Sequence, residues 1–430
     1  MESLLDFFSF SDPNVRYVTF GSILLTASAA IVGCFTFLKK KALVGDAVAH
    51  SVLPGICLAF MLSGTKNPFY IIIGAFITGW LSLVIIDKIT SKSKIKEDTA
   101  IALILSVFFG AGILLLTIIQ HSGNASQSGL DHFIFGNAAA LVGDDLMVFS
   151  GVATVLLIVV TLFFKEFTLI SFDENFAKSI GFPVKRIELV LTTLTVLAVV
   201  IGIQAVGVVL MAAMLITPAA AARFWTDKIR VMLILSAVLG ATAGLFGTYV
   251  SYIAPAMPTG PWIVVIISTI AFISFFFAPK KGIISRVFRQ RQIQHQMGEE
   301  TILKVLYQLG EQDQDFYISR SLDAIIKRRP FKPVTLLSGL KRLRRYGFTQ
   351  NTNDTWGLTK EGKTKGQRTV KLHRLWELYL TQYLRIAPDH VHEDAETIEH
   401  ILTPELEERL EKLLEYPELD PHQSKIPYRS

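Results

Sequence analysis

Over its first two thirds the chain alternates long apolar runs with short polar breaks, and then it changes character. Leu189 to Ala222 carries no charged residue, and neither does Val231 to Pro279. Crossing a bilayer takes about 20 apolar residues, so these two stretches alone hold about three or four spans. Read with the rest of the pattern, they predict spans near 17–38, 44–63, 67–87, 99–119, 146–165, 188–206, 207–224, 230–252 and 262–279. The stretch 188–224 reads either as two spans or as one span plus a re-entrant piece. Core helices of a large soluble enzyme would need shorter apolar runs with polar faces, so that class is set aside.

Near residue 282 the pattern shifts. ISRVFRQRQIQHQMGEE is a basic, Gln-rich connector. Beyond it, Leu303, Leu306 and Leu309 recur with Tyr307 on one helical face. A helix over about 334–346 places Leu336, Leu340 and Leu343 inward and Lys341, Arg342, Arg344 and Arg345 outward. GFTQNTNDTWGLT then reads as strand, polar turn, strand. This order predicts a winged helix-turn-helix. From Lys371 onward the pattern is helical and rich in His and Glu. The expected domains are 1–281 in the membrane, a linker at 282–298, a winged helix at 299–370 and a small helical domain at 371–430. The fold class is an all-α polytopic membrane protein of about eight or nine spans with a cytoplasmic tail.

Composition supports the membrane reading: 51% of residues are hydrophobic, and the mean hydropathy is +0.45. The charges matter by their placement. Lys39–Lys41, Lys92, Lys94, Lys96, Lys165, Lys178, Lys185, Arg186, Arg223, Lys228, Arg230, Lys280, Lys281 and Arg286 all follow or flank the same side. The positive-inside rule makes that side cytoplasmic. The N-terminus is then outside and the tail inside, which requires an odd number of spans. Residues 1–15 are acidic and lack the basic start of a cleavable signal. Cys34 and Cys57 lie in apolar segments and read as small core residues.

One span carries chemistry. Asp46 and His50 stand four apart in GDAVAHSVLPG. An Asp in the bilayer costs about 2.5–3.5 kcal/mol, so such residues usually line a pathway. Residues four apart share a helical face, and a carboxylate with an imidazole suits Mn²⁺, Fe²⁺ or Zn²⁺ better than Ca²⁺. A proton relay or a structural Asp–His pair has the same spacing. Pro54-Gly55 is expected to break the helix and open a cavity beside it.

GDAVAHSVLPG resembles the signature of permease subunits of metal-ion (manganese/zinc/iron) ABC transporters. SFDENFAKSIGFP (171–183) resembles that family's coupling segment, GVVLMAAMLITPAAAAR (207–223) its small-residue helix, and FGTYVSYIAPAMPTGPWIVV (246–265) its last hairpin. The resemblance covers about residues 10–280. It implies that Asp46 and His50 are metal ligands on the translocation path. It implies that Phe172, Asp173, Phe176, Ala177 and Gly181 belong to the segment docking on a separate ATPase subunit. It also implies a second permease subunit, an extracytoplasmic metal-binding protein, and a bacterial inner (plasma) membrane. The outward loop with His121, Asp131, His132, Asp144 and Asp145 is a place to receive ions, or simply solvated.

HRLWELYLTQYL (373–384), VHEDAETIEHILTPELEERLEKLL (391–414) and DPHQSKIP (420–427) resemble the metal-binding and dimerisation domain of iron- and manganese-dependent repressors. The segment before them matches the winged helix of the same family in order. The resemblance puts His373, Glu377, Glu396, Glu399 and His400 among the ligands, with His392 at a second site in some members. Glu396 stands where iron-responsive members carry Cys, and a carboxylate favours a harder ion such as Mn²⁺. An ordinary solvated amphipathic helix is the competing account. The family also takes a ligand from its first helix; here that position is Thr301, with Lys304 beside it and Glu299 or Glu300 as substitutes. Lys341, Arg342, Arg344 and Arg345 suit contacts to nucleic-acid phosphates, yet no base-reading residue is evident, and basic winged helices also bind proteins.

GLTKEGKT (357–364) fits the phosphate-loop expression, but it follows a polar hairpin rather than a buried strand. It reads as wing strand and turn, which leaves no ATP site in this chain. The resulting expectation is a permease subunit for Mn²⁺, Zn²⁺ or Fe²⁺, not itself an enzyme, with a repressor-like tail that senses metal. The rivals are a membrane-anchored, metal-responsive transcription regulator and a proton-coupled carrier.

Overall fold

The structure is a computed structural model, and it describes residues 2–64, 68–121, 143–254, 257–384 and 404–428. The chain divides into two compact units, Met1–Arg286 and Val287–Ser430.

Among its described residues the first unit has helices and no strand. Its helices are α1 (Glu2–Ser9), α2 (Pro13–Leu38), α3 (Val44–Ser51), α4 (Leu53–Ser63), α5 (Pro68–Lys92), α6 (Glu97–His121), α7 (Gly143–Leu162), α8 (Phe164–Phe172), α9 (Glu174–Ser179), α10 (Val184–Val206), α11 (Val208–Trp225), α12 (Ile229–Ile253) and α13 (Thr259–Phe277). Among the described residues, eight helical stretches are long and apolar enough to cross a membrane, with Leu210–Trp225 as a shorter apolar helix. The stretch 188–224 is thus two helices, parted at Gly207, whose φ of 86° only glycine adopts readily. The outer faces are apolar, with Leu62, Leu114, Ile234, Phe272 and Phe277 exposed, as a lipid solvent requires.

In the helix pair α3–α4, α3 is enclosed by its neighbours, while α4 leaves Leu58, Met61 and Leu62 exposed. α3 packs on α5, α6, α10 and α11, and α4 packs on α5 and α6. The expected break is present at Val52, just before Pro54, and it is mild. Val52, between the two helices, keeps helical angles (φ −78°, ψ −22°). Its N–H donates to Val48 O, and Ile56 N–H donates to Val52 O. What Pro54 removes is a single donor, the one that would have reached His50 O. Gly55 serves close packing: a Cβ there would lie 2.1 Å from Gly74 O on α5. Just past this contact, Gly55, Leu58, Leu62, Tyr70, Ile73 and Ile77 line an apolar groove of about 590 Å³. Both cysteines are buried and free; Cys34 Sγ lies 3.1 Å from Ser236 Oγ.

In the second unit, α14 (Ile283–Gln312) covers the expected linker and continues into the domain, followed by α15 (Leu322–Arg328) and α16 (Pro333–Arg345). Strands β1 (Thr349–Thr352) and β2 (Thr355–Leu358) pair antiparallel. Asn353 and Asp354 both have positive φ, the geometry of a two-residue hairpin turn. Leu303, Leu306, Tyr307, Leu336, Leu340, Leu343, Trp356 and Leu358 form the core, so the wing order read from the sequence holds. One helix, α17 (Lys360–Tyr383), spans the expected boundary at 370/371, and α18 (Pro404–Leu413) packs on it through Leu375, Leu410 and Leu414.

Candidate metal site

Asp46 lies in the first turn of α3 and His50 in the last. Both are half-buried, while Ala47, Val48, Ala49 and Ser51 are fully buried. The neighbouring helices therefore grip α3 on its other faces and leave the Asp46–His50 edge partly open. The His50 ring stands edge-on to Phe109 of α6, with centroids 5.0 Å apart and planes at 89°. His50 Nδ1 is buried and has no hydrogen-bond partner. Among the described residues, no ion pair engages Asp46, and no three His, Cys, Asp or Glu side chains gather as a metal cluster. An unpartnered polar atom inside a protein is costly. A divalent cation is one partner that relieves an imidazole nitrogen and a carboxylate together.

The segment expected to couple to an ATPase folds as α8, α9 and the turn before α10. Asp173 caps α9 by accepting a hydrogen bond from Phe176 N–H at 2.8 Å. Ala177 is fully buried and anchors the turn, whereas Phe172, Phe176 and Ile180 are exposed. Gly181 takes φ 77°. The result is a rigid knob with apolar side chains outside.

In the second unit, His373 and Glu377 sit four apart on α17, both 2% exposed, with Nε2 and Oε1 3.0 Å apart. They line a cavity of about 510 Å³ with Glu311, Arg374, Asp420 and His422. Arg374 holds this region together. Its guanidinium donates to both Glu311 oxygens at 3.0 and 2.8 Å, and its Nε is 3.4 Å from Asp420. His392, Glu396, Glu399 and His400 lie outside the described residues, as do Asp131 and His132. Thr301 Oγ donates to Met297 O, and Lys304 is buried, so the first-helix position offers a hydroxyl and an ammonium. Glu299 pairs with Arg342 at 2.6 Å and Glu300 with Lys365 at 3.6 Å, so neither is a spare ligand. A cation has His373 and Glu377 as fitting donors here, while an ammonium at 304 is unsuited to ligation.

Of the basic residues on α16, Lys341, Arg344 and Arg345 are exposed, and Arg342 is drawn to Glu299 on α14. The phosphate-loop-like stretch folds as strand, cap and helix. Thr359 caps α17 by accepting from Gly362 N–H at 3.0 Å. A Cβ at Gly362 would lie 1.8 Å from Phe348 O, and Lys363 Nζ lies 4.4 Å from the centre of the Phe316 ring. These contacts fill the space in which a phosphate cradle would open.

Sequence reasoning missed Phe109 and the Arg374–Glu311 pair. Each is a contact between helices distant in the chain, and no spacing rule links them. Arg374 adjoins His373, which is the only local hint.

A bundle of membrane-length apolar helices with a half-open carboxylate–imidazole edge has the build of a multi-pass membrane transport protein. Residues 11–278 match the ABC 3 transport family, and the chain belongs to that family as a membrane permease. Residues 359–428 match the metal binding and dimerisation domain of the iron dependent repressor. The chain is 40% identical over 404 residues to the manganese transport system membrane protein MntC of Bacillus subtilis, across 94% of this chain and 92% of the relative. It is 40% identical over 284 residues to the zinc transport system membrane protein TroC of Treponema pallidum, across 66% of this chain and 95% of the relative. Among solved structures it resembles PsaBC from Streptococcus pneumoniae in complex with Fab, at 34% identity and a TM-score of 0.59, covering 67% of this chain and 99% of that one.

Proposed function

We propose that this chain is the membrane permease of an ATP-driven importer of a divalent transition-metal ion, with Mn²⁺ favoured over Zn²⁺ and Fe²⁺. The observation that carries this reading is the Asp46–His50 edge with its unpartnered Nδ1. Two donors leave a metal's coordination incomplete, so a second permease subunit, presenting the same pair, supplies the rest together with water. One hard oxygen and one borderline nitrogen per subunit suit Mn²⁺ without selecting against Zn²⁺. The relatives named for manganese and zinc transport support this range and do not favour the transcription-regulator reading.

An extracytoplasmic metal-binding protein delivers the ion to the outer face. The exposed Phe172, Phe176 and Ile180 knob docks on a separate ATPase subunit, whose cycle opens the path inward. Charge placement supports a cytoplasmic tail. There His373 and Glu377 would hold two positions of an effector ion, and the tail damps transport when metal is abundant. Nucleic-acid contact by Lys341, Arg344 and Arg345 is secondary to this role.

The test is uptake of ⁵⁴Mn²⁺ into vesicles holding the permease and its ATPase subunit, with the metal-binding protein supplied at the outer face. ATP-dependent uptake, blocked by excess Mn²⁺ or Zn²⁺ but not by Ca²⁺, is the expected result. Uptake that persists without any ATPase subunit overturns the reading in favour of a proton-coupled carrier.

A further inference from the structure

The loop between α2 and α3 carries Lys39 and Lys41, and both reach one carboxylate on a distant helix. Glu188 Oε1 lies 2.6 Å from Lys39 Nζ and 3.2 Å from Lys41 Nζ. Lys41 Nζ is also 3.6 Å from Glu97. This is not an ordinary surface pair, since the Lys39 side chain is 7% exposed and that of Glu188 26%. Burial pulls the Lys41 amine down, yet Glu188 and Glu97 outweigh it and hold the group above its ordinary value. None of these residues belongs to the metal edge or to the exposed knob.

Their positions give the cluster meaning. Glu188 stands in the opening turns of α10, directly after the Phe172–Pro183 segment. Lys41 precedes α3, whose first turn holds Asp46. Glu97 begins α6, the helix that presents Phe109 to His50. One shielded carboxylate thus ties the helix behind the knob to the loop that opens the ligand helix, and Lys41 extends the tie to α6. Exposed ion pairs contribute little, but a partly buried carboxylate shared by two cations resists separation.

We propose that Glu188, Lys39 and Lys41 form a charge latch that transmits movement of the Phe172–Gly181 segment to the helix bearing Asp46. The latch makes ATP hydrolysis and the opening of the metal edge a single event. It rests on the reading of that segment as the ATPase contact. Breaking the latch leaves both ends intact and separates their actions.

The experiment places the full chain and its ATPase subunit in liposomes, supplies the metal-binding protein at the outer face, and measures ATP hydrolysis, ⁵⁴Mn²⁺ uptake and ATPase retention together. Glu188→Gln is expected to keep the ATPase subunit and its hydrolysis while uptake per ATP falls about tenfold, within the range of coupling-residue effects. Glu188→Asp should retain most of the ratio. If Glu188→Gln does not fold, Lys41→Gln is the milder variant: the Lys39–Glu188 pair keeps the loop anchored while the link to α6 is lost, and uptake per ATP is expected to fall about threefold. An unchanged uptake per ATP in these variants overturns the latch, as does loss of the ATPase subunit from Glu188→Gln. Phe176→Ser is the separate arm and is expected to shed the ATPase. If Phe176→Ser keeps it, the docking reading falls and the latch falls with it; if Phe176→Ser sheds it while Glu188→Gln keeps the parental uptake per ATP, the latch alone falls.

Discussion

The imidazole of His50 meets the ring of Phe109 edge to face, with centroids 5.0 Å apart. The contact fixes the plane of an imidazole that has no hydrogen bond at its buried Nδ1. Metal ligands are ordinarily oriented by a second layer of groups, and here an aromatic wall does that work. Phe109→Ala frees the ring. The apparent KM for Mn²⁺ uptake should rise about tenfold, the scale of lost ligand orientation, while the chain still reaches the membrane. An unchanged KM would remove Phe109 from the account.

The helix that follows the ligand helix is held in place by backbone contact. Gly55 and Gly74 bring α4 and α5 so close that a Cβ at Gly74 would lie 2.4 Å from Gly55 O. Gly55→Ala should destabilise the first unit by about 1–3 kcal/mol, the usual cost of overpacking. Gly110→Ala is the control, since a Cβ there meets nothing within 4 Å. Thermal unfolding of the purified protein in detergent separates the two. Equal melting of both variants would contradict the packing argument.

Arg374 is the tie of the second unit, joining α14 through Glu311 to the segment around Asp420. Its side chain is only 10% exposed, so Arg374→Ala removes the ion pair of Glu311 and leaves Asp420 with its backbone donors from His422 and Ser424. Breaking such a pair costs about 3–5 kcal/mol. Limited proteolysis of the full chain should then cut rapidly between α17 and the C-terminus. Resistance equal to that of the parent would show the network to be dispensable.

Acid should loosen the same region. Burial raises the Glu407 carboxyl, but hydrogen bonds and charge from Lys371 and Arg368 outweigh it and hold it below its ordinary value of 4.5. A depressed folded value means the stabilisation is fully present above 4.5 and is lost as pH falls through the folded value. Hydrogen exchange of α18 should therefore accelerate below that range. Glu407→Gln should flatten the dependence; exchange that is equally pH-sensitive in Glu407→Gln would assign the effect to other groups.

How much of this was legible in the sequence follows from what each feature depends on. Span existence rests on apolar length, a local property, so runs such as 230–252 were read within a few residues. Leu303, Leu306 and Leu343 were placed inward correctly because helical periodicity alone decides a face. Asp46 and His50 stood out because charge is rare in apolar surroundings. The break before Pro54-Gly55 was legible for a local reason as well, since proline removes one donor whatever its setting. That bonding resumes past Val52, with α5 and α6 packed alongside, was not. Phe109, Glu188 and Arg374 were not legible because their roles arise only when distant helices meet. The four C-terminal candidates at 392–400 lie outside the described residues, and the sequence remains the ground for them.

The central claim is that Asp46 and His50 carry the transported ion. The most direct measurement is ATP-driven ⁵⁴Mn²⁺ uptake by Asp46→Ala and His50→Ala variants assembled with the ATPase subunit, beside a His373→Ala/Glu377→Ala variant of the tail. The expected result is loss of uptake in both membrane variants with the ATPase still bound, and retained uptake in the tail variant. Uptake at the parental rate in Asp46→Ala or His50→Ala would contradict the account.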